Sequence, residues 1–422
     1  MRILFLGCLF DQQEENNLLK KSKIGLSGAV NTYQWNLING LDENLKTPVD
    51  IINVLSVGTY PKYFRDIILR TKRWSHSPGA HDLEIGSPNL PLLKQVIRTI
   101  LCKNAVKRWI KNAGDNNRII VYSTYLPYLL AVKKLPINIK ITLIVTDLPE
   151  YYDLTDSSNT KMKSIRAIYN RLIYASLKRI DSFVILTEQM KVPLNIGERP
   201  YVVIEGLVDD EHNTRCTEVL ESTEKVLLYT GTLNYRFGIG NLLEAFKCID
   251  KKDYKLWICG SGEAAEEIVS VSKADNRVKY FGYVTKNEIY KLQKQATLLI
   301  NPRANDGEYT KYSFPSKTME YMLSGKPVLM YKLDGIPDEY DQYLYYINGS
   351  EPKDIADRIM EICEQPQSEL DDFGQKARKF VLENKNSEVQ AKKIIDMLNE
   401  DKILEKNLFS QNGNSISSYQ NK

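Results

Sequence analysis

The sequence predicts an α/β protein made of two parallel-sheet domains. Three observations carry this. The chain has 422 residues, too many for one compact core. Short β-branched and aliphatic runs alternate with longer segments of helical periodicity in both halves, as strand–helix–strand units do. Several of those runs end in glycine-containing turns that open a helix, the place where a parallel sheet meets its ligand.

In order, Arg2 to Cys8 is the first strand, and Gly25-Leu26-Ser27-Gly28 opens a helix reaching Leu41. Gly28 suits a turn that approaches a phosphate, and a plain helix start explains it equally well. Val49 to Val57 is the second strand, and residues 58–90 read as irregular. Arg118 to Ser123, Ile139 to Val145, Asp181 to Leu186 and Tyr201 to Glu205 are further strands. Asp147 falls just past the second of these four, on the ligand side of the sheet, although an Asp before Leu-Pro also caps turns. Residues 1–207 thus form one domain, and the acidic, unpatterned 208–223 a linker. A second alternation fills 224–373, with strands at Val226 to Tyr229, Lys255 to Cys259, Val278 to Gly282 and Thr297 to Ile300. Helices are expected at 352–364 and 374–398. The tail 400–422 is rich in Asn, Ser and Gln and reads as disordered.

The bulk numbers narrow the class. Hydrophobic residues at 43% and charged ones at 26% suit a soluble globular protein. The net charge of +4 hides an asymmetry: residues 1–205 carry +10 and the remainder −6. A basic half points to an anionic partner or to a merely solvated surface. Six scattered cysteines and three dispersed histidines (His76, His81, His212) fit neither a disulfide framework nor a metal site, so free thiols and no metal are expected. The apolar start is a strand and not a signal peptide, and no run reaches the roughly 20 apolar residues of a membrane span. The expected location is the cytoplasm, with attachment to the inner face of the membrane as an option. That option rests on residues 92–111, where apolar Leu93, Val96, Ile97, Ile100 and Leu101 interleave with Lys94, Arg98, Lys103, Lys107 and Arg108, near Trp109. Such a helix suits an anionic headgroup layer, and a surface helix packed on the core fits it as well.

One stretch stands apart: Ser313-Phe314-Pro315-Ser316-Lys317-Thr318-Met319-Glu320, continuing to Val328. It reads as a loop passing into a helix capped by Ser313 or Ser316, with Gly325 and Pro327 ending it. The helix start offers free N–H groups to an anion, Lys317 adds a cation, and Glu320 can meet hydroxyls. An ordinary capped helix would look the same.

Together with Tyr-Thr-Gly-Thr-Leu at 229–233, Gly-Ser-Gly at 260–262, Val-Lys-Tyr-Phe-Gly at 278–282 and Asn301-Pro302-Arg303, this stretch resembles the family 4 glycosyltransferases. The likeness is strongest over 229–330. It implies the GT-B fold, two Rossmann-like domains facing across a cleft, with the helix near 374–398 packing back on the N-terminal domain. It also implies retaining, metal-independent transfer of a sugar from a nucleotide-sugar co-substrate to a saccharide acceptor. The acceptor would be lipid-linked, in capsule, exopolysaccharide or O-antigen synthesis, with no nucleic acid involved and no cofactor. By the same likeness Glu320 holds the donor ribose, and Gly28, Gly231, Gly262, Ser316 and Lys317 line the donor site. Two positions depart from the family: Tyr312 replaces a glutamate that contacts the donor sugar, and Thr232 replaces a phosphate-binding arginine. Arg236 and Arg303 are the compensating cations, and Asp147 the group that orients or deprotonates the acceptor. The departures leave two other functions on the same fold: a silent partner of another transferase, or a nucleotide-sugar 2-epimerase.

Overall fold

The computed structural model describes residues 1–114, 116–151, 160–209 and 224–400; most of the expected linker and nearly all of the expected tail lie outside them. The chain divides into two compact units, Met1–Glu205 with the chain from Ser387 onward, and Gly206–Asn386.

Unit 1 contains strands β1 (Arg2–Gly7), β2 (Asp50–Asn53), β3 (Ile68–Leu69), β4 (Lys72–Trp74), β5 (Asp82–Glu84), β6 (Ser87–Pro88), β7 (Asn117–Tyr122), β8 (Lys140–Val145), β9 (Ser182–Ile185) and β10 (Tyr201–Val203). Its helices are α1 (Glu15–Lys21), α2 (Gly28–Asn44), α3 (Leu93–Asn112), α4 (Leu126–Val132) and α5 (Thr160–Leu177). Eight strands form one sheet in the order β10-β9-β8-β7-β1-β2-β5-β4, parallel except for the antiparallel β4–β5 edge. All six residues of β7 are buried. Burial on both faces makes the inner strands continuous apolar runs, which is why they could be read from sequence. The region 58–90 is more ordered than its composition suggests: it supplies β4, β5 and the separate β3–β6 ribbon.

Past β1 the backbone leaves the sheet, and three successive N–H groups lose their ladder partners. Amide side chains replace them. Gln34 Oε1 accepts from Cys8 N, Asn53 Oδ1 from Leu9 N and Asn31 Oδ1 from Phe10 N, each at 2.8 Å. These bonds fix the turn between β1 and α2, and with it the place of Gly28.

Helix α3 turns two of its five membrane-facing candidate cations, Lys94 and Arg98, inward. Its buried stripe is Lys94, Arg98, Cys102 and Val106, one residue per turn. Lys94 Nζ donates to Val57 O at 2.6 Å. Arg98 donates to Leu55 O, Ser87 Oγ and Tyr125 Oη. Unpaired carbonyls and hydroxyls at the ends of β2 and its neighbours draw these two cations inward. Burial pushes the Lys94 amine down to about 7, with Arg98 adding to the shift. Trp109 is turned inward too, its Nε1 donating to Asp50 Oδ2 at 2.7 Å. Of the five expected cations, only Lys103, Lys107 and Arg108 reach solvent.

Unit 2 contains β11 (Lys225–Thr232), β12 (Tyr254–Ser261), β13 (Val278–Gly282), β14 (Leu298–Asn301), β15 (Val328–Met330) and β16 (Tyr345–Tyr346). Its helices are α6 (Ile239–Lys247), α7 (Ala265–Ala274), α8 (Lys286–Gln295), α9 (Ser316–Leu323), α10 (Pro352–Cys363) and α11 (Gln367–Asn384). The sheet is parallel throughout, in the order β13-β12-β11-β14-β15-β16. The single helix expected over 374–398 is two: α11 stops at Asn384, and another runs over 387–400 in unit 1. At the break, Lys385 O accepts from Val208 N at 2.9 Å, and Lys385 Nζ reaches Glu339 Oε1 at 2.6 Å. Among the described residues no helix is long and apolar enough to cross a membrane.

A buried histidine ties α2 to β5. His76 Nε2 lies 3.0 Å from Asp42 and Nδ1 2.7 Å from Asp82. Burial works against the imidazolium, but the hydrogen bonds to the two carboxylates outweigh it and raise the pKa to about 9. A folded pKa above the unfolded one stabilises fully below about 6.5 and loses that stability as pH rises through about 9. Urea midpoints followed by circular dichroism are expected to fall over this window in the wild type, and by less in His76→Gln.

Candidate functional site

The site is built where the sheet of unit 2 changes direction. Strand β11 lies mid-sheet: the chain goes from it outward to β12 and on to β13 at the edge, then crosses back to fill the other side with β14, β15 and β16. The turning point lies between β11 and β14, and the space beyond the carboxyl ends of two such strands is where α/β sheets bind ligands. The β11–β14 ladder is short, with only Leu227↔Leu298 and Leu228↔Leu299 in register. Past it the two strands part.

Helix α9 fills the gap. The buried Tyr321 hydroxyl accepts from Thr230 N at 2.9 Å and donates to Thr230 O at 3.2 Å, standing in for the missing strand partner. Burial raises the phenol pKa, so it stays protonated and able to donate. The helix stops at Gly325, whose φ of 76° only glycine adopts freely. Its start differs from the expectation: Pro315 is the N-cap residue and no side chain caps the helix. The first amides therefore keep their hydrogen-bonding capacity for something else.

Three cations lie after the carboxyl ends of β11 and β14 and in the first turn of α9. Lys317 lies in the first turn, over Gly231 at the end of β11; a Cβ on Gly231 would lie 2.6 Å from Lys317 Cε. A Cβ on Gly260, which pairs with Gly231 in the ladder, would lie 1.7 Å from Gly231 O. Both turns are thus confined to glycine, and Gly262 follows against Leu233. Arg236 is exposed in the turn after β11, which Asn234 Oδ1 organises by accepting from Arg236 N at 3.1 Å. Arg303 follows β14, its guanidinium over the rings of Tyr309 at 4.9 Å and Phe237 at 5.7 Å. Burial pushes Arg303 below its usual range; Tyr309 opposes that shift and neighbouring Arg236 adds to it. Arg303 Nε is buried without a hydrogen-bond partner. Among the described residues, no carboxylate pairs with Lys317, Arg236 or Arg303.

The one carboxylate on α9 is Glu320, one turn from Lys317, half-buried and fixed by Gln293 Nε2 of α8 at 2.9 Å. Ser316 is exposed at the helix start, and Thr232 exposed at the end of β11, its carbonyl accepting from Tyr229 Oη at 2.8 Å. Tyr312 is half-buried in a 3-10 turn over Glu308–Tyr312, with Glu308 exposed. Gly231, Thr232, Arg236, Gly262, Arg303, Tyr312, Ser316, Lys317 and Glu320 all belong to unit 2. The two other expected residues belong to unit 1. Gly28 starts α2, where a Cβ would meet nothing within 4 Å, and Asp147 is exposed two residues past β8. Tyr321 and Gln293 escaped sequence reading, because a tyrosine or glutamine at helical spacing reads as filler.

Two α/β units with this topology define the class: the fold is GT-B. Solved structures of the same architecture include the sucrose-phosphate synthase of Thermosynechococcus elongatus, at 14% identity with a TM-score of 0.63 over 97% of this chain and 100% of that one. Another is HepE of Anabaena in complex with UDP, at 13% identity with a TM-score of 0.60 over 95% and 100%. Residues 210–380 match the family model of the glycosyl transferases group 1. The chain is also 24% identical over 193 residues to an uncharacterised glycosyltransferase of Methanocaldococcus jannaschii. That match covers 44% of this chain and 45% of that relative, less than half of each.

Tyr321→Phe keeps the ring and leaves a buried N–H and C=O of Thr230 without their partner. The expected cost is about 1–3 kcal/mol, read as a lower urea midpoint of the unit 2 transition.

Proposed function

We propose that this protein is a retaining, metal-independent glycosyltransferase of the family 4 kind. It moves a sugar from a nucleotide-sugar donor to a saccharide acceptor, lipid-linked, in the synthesis of a surface polysaccharide. One observation carries the reading most: three cations without a carboxylate partner and an uncapped helix start converge at the turning point of the sheet, beside one anchored carboxylate. That arrangement fits a nucleoside diphosphate. Lys317, Arg236, Arg303 and the first amides of α9 take the phosphates, and Glu320 takes the ribose hydroxyls.

In a retaining transfer the acceptor hydroxyl attacks the sugar face from which the diphosphate leaves. Negative charge grows on the leaving phosphate, and fixed donors aimed at it lower the barrier without needing to reorganise. Arg303 is well suited to this. Its aromatic neighbours hold it in place, and an unsatisfied buried N–H strengthens any anion it meets. These cations offset the arginine missing at Thr232. Asp147 receives the acceptor role, orienting or deprotonating its hydroxyl. The complex of HepE with UDP makes uridine diphosphate the first probe to use.

Tyr312 and Thr232 favour a second reading, a silent partner that keeps the fold without turnover. A thermal-shift screen against nucleotide sugars separates the two. A ligand at about 100 times its dissociation constant adds roughly 2.7 kcal/mol to the folded state, and the transferase reading expects one such hit. With that donor, Arg303→Met and Lys317→Met should each lower kcat/KM by about 10²–10³-fold. Glu320→Ala should abolish transfer with an unchanged circular dichroism spectrum. Full turnover by Glu320→Ala would refute this site, and no shift with any nucleotide sugar would favour the silent partner.

A further inference from the structure

Helix α8 supplies the side chain that meets Glu320, the one carboxylate on α9. It carries three cations, Lys286, Lys291 and Lys294, and none of them takes that carboxylate. Lys286 lies over the Tyr290 ring at 5.7 Å, Lys291 is exposed, and Lys294 Nζ donates to Ser324 O at 2.9 Å. The residue turned toward Glu320 is instead a neutral amide. Gln293, 1% exposed, donates from Nε2 to Glu320 Oε1 at 2.9 Å. Among the described residues no cation forms an ion pair with Glu320.

An amide and a cation differ in what they leave for a ligand. A lysine would cancel the charge of the carboxylate, whereas an amide N–H occupies one lone pair and leaves the charge in place. An ionised carboxylate has two oxygens and roughly four acceptor positions. Gln293 uses one, so Oε2 and the rest of Oε1 stay open. The bond also sets a direction. The last torsion of a glutamate is broad and has no strong rotamer of its own. The side chain rises from a helix that Tyr321 locks to β11, so rotation of the carboxylate plane is its loosest freedom. A hydrogen bond from a buried amide removes that freedom. Gln293 is held in turn: a capping box of Thr285 and Glu288 starts α8, and Lys294 ties its end to α9. Burial raises the phenol of Tyr290, one turn before Gln293; Lys286 opposes the shift and Glu320 adds to it, so the charge of Glu320 is felt on this side.

A carboxylate with a fixed plane and both oxygens open suits two hydroxyls on neighbouring carbons, each donating to one oxygen. Ribose presents such a pair at its 2′ and 3′ carbons, and 2′-deoxyribose presents a single hydroxyl. A carboxylate left free to turn must be ordered by the sugar itself, and it gains less from the second hydroxyl. We propose that Gln293 is the positioning residue that makes Glu320 selective for a ribose diol over deoxyribose. The inference rests on the donor-site reading, in which Glu320 takes the ribose hydroxyls of the nucleotide.

The test is calorimetric titration of the whole chain with UDP, GDP and ADP and with the 2′-deoxy form of each. The wild type should bind one ribonucleotide at least about tenfold tighter than its deoxy form, the effect of one hydrogen bond to a charged group. Gln293→Met keeps an unbranched side chain of similar length and removes the donor. In it the ribonucleotide affinity should fall by about tenfold while the deoxy affinity holds, so that the ratio of the two approaches one. Lys294→Met cuts the other bond between α8 and α9 and should leave the ratio unchanged, which separates positioning from packing. If Gln293→Met lacks the wild-type circular dichroism spectrum, Gln293→Glu takes its place; it keeps the shape, removes the donor and should lose the ratio likewise. An undiminished ratio in the folded variant overturns the inference and leaves the donor-site reading standing. A wild type that binds a nucleotide without preferring its ribose form overturns the role of Glu320 and the inference with it. No binding of any of the three diphosphates overturns the donor-site reading itself, and the inference falls with it.

Discussion

The site depends on one hydroxyl. Where β11 and β14 diverge, Thr230 has no partner on the β14 side, and Tyr321 Oη supplies both a donor and an acceptor. A parallel sheet can open at its carboxyl end only if the freed backbone groups find partners elsewhere. Meeting that need from α9 locks the helix to the strand ends, and the positions of Lys317 and Glu320 follow. The absence of side chains at Gly231 and Gly260 makes the close approach possible, and Gln293 holds the carboxylate from the next helix.

The electrostatics have a cost that the fold alone does not explain. Lys317, Arg236 and Arg303 have no salt-bridged carboxylate among the described residues, and burial costs Arg303 hydration that Tyr309 and Asp306 offset only in part. Like charges brought together raise the energy of the empty protein. Sites that violate local rules of this kind are commonly those kept for a ligand. Lys94 and Arg98 in unit 1 are a useful contrast. They are more deeply buried, yet carbonyl and hydroxyl oxygens engage them, so they brace a loop.

Much of this was legible in the chain. Strands buried on both faces announce themselves as apolar runs, and the segment from Phe314 to Val328 carries its turn, helix and strand signals in order. What stayed hidden depends on partners distant in sequence. Nothing local distinguishes Tyr321 from an ordinary core tyrosine. In α3 two stripes compete, and hydrophobicity selects the wrong one, because the ends of β2 demand donors that only Lys94 and Arg98 can deliver. The break between α11 and the last helix has no glycine or proline to mark it. It is held by Val208 and Glu339, far from it in sequence.

That break also orders the birth of the protein. Unit 1 is discontinuous: its sheet is complete by Val203, but α2 packs against the helix that begins at Ser387. The contact is intimate, since a Cβ at Gly40 would lie 2.0 Å from Ser387 O, and Asn44 Nδ2 donates to Glu388 O at 2.9 Å. On the ribosome, the first unit to emerge must wait with this groove uncovered until all of unit 2 has been translated. The two units therefore cannot mature as independent beads on a string. Completion of the earlier one is coupled to synthesis of the later one.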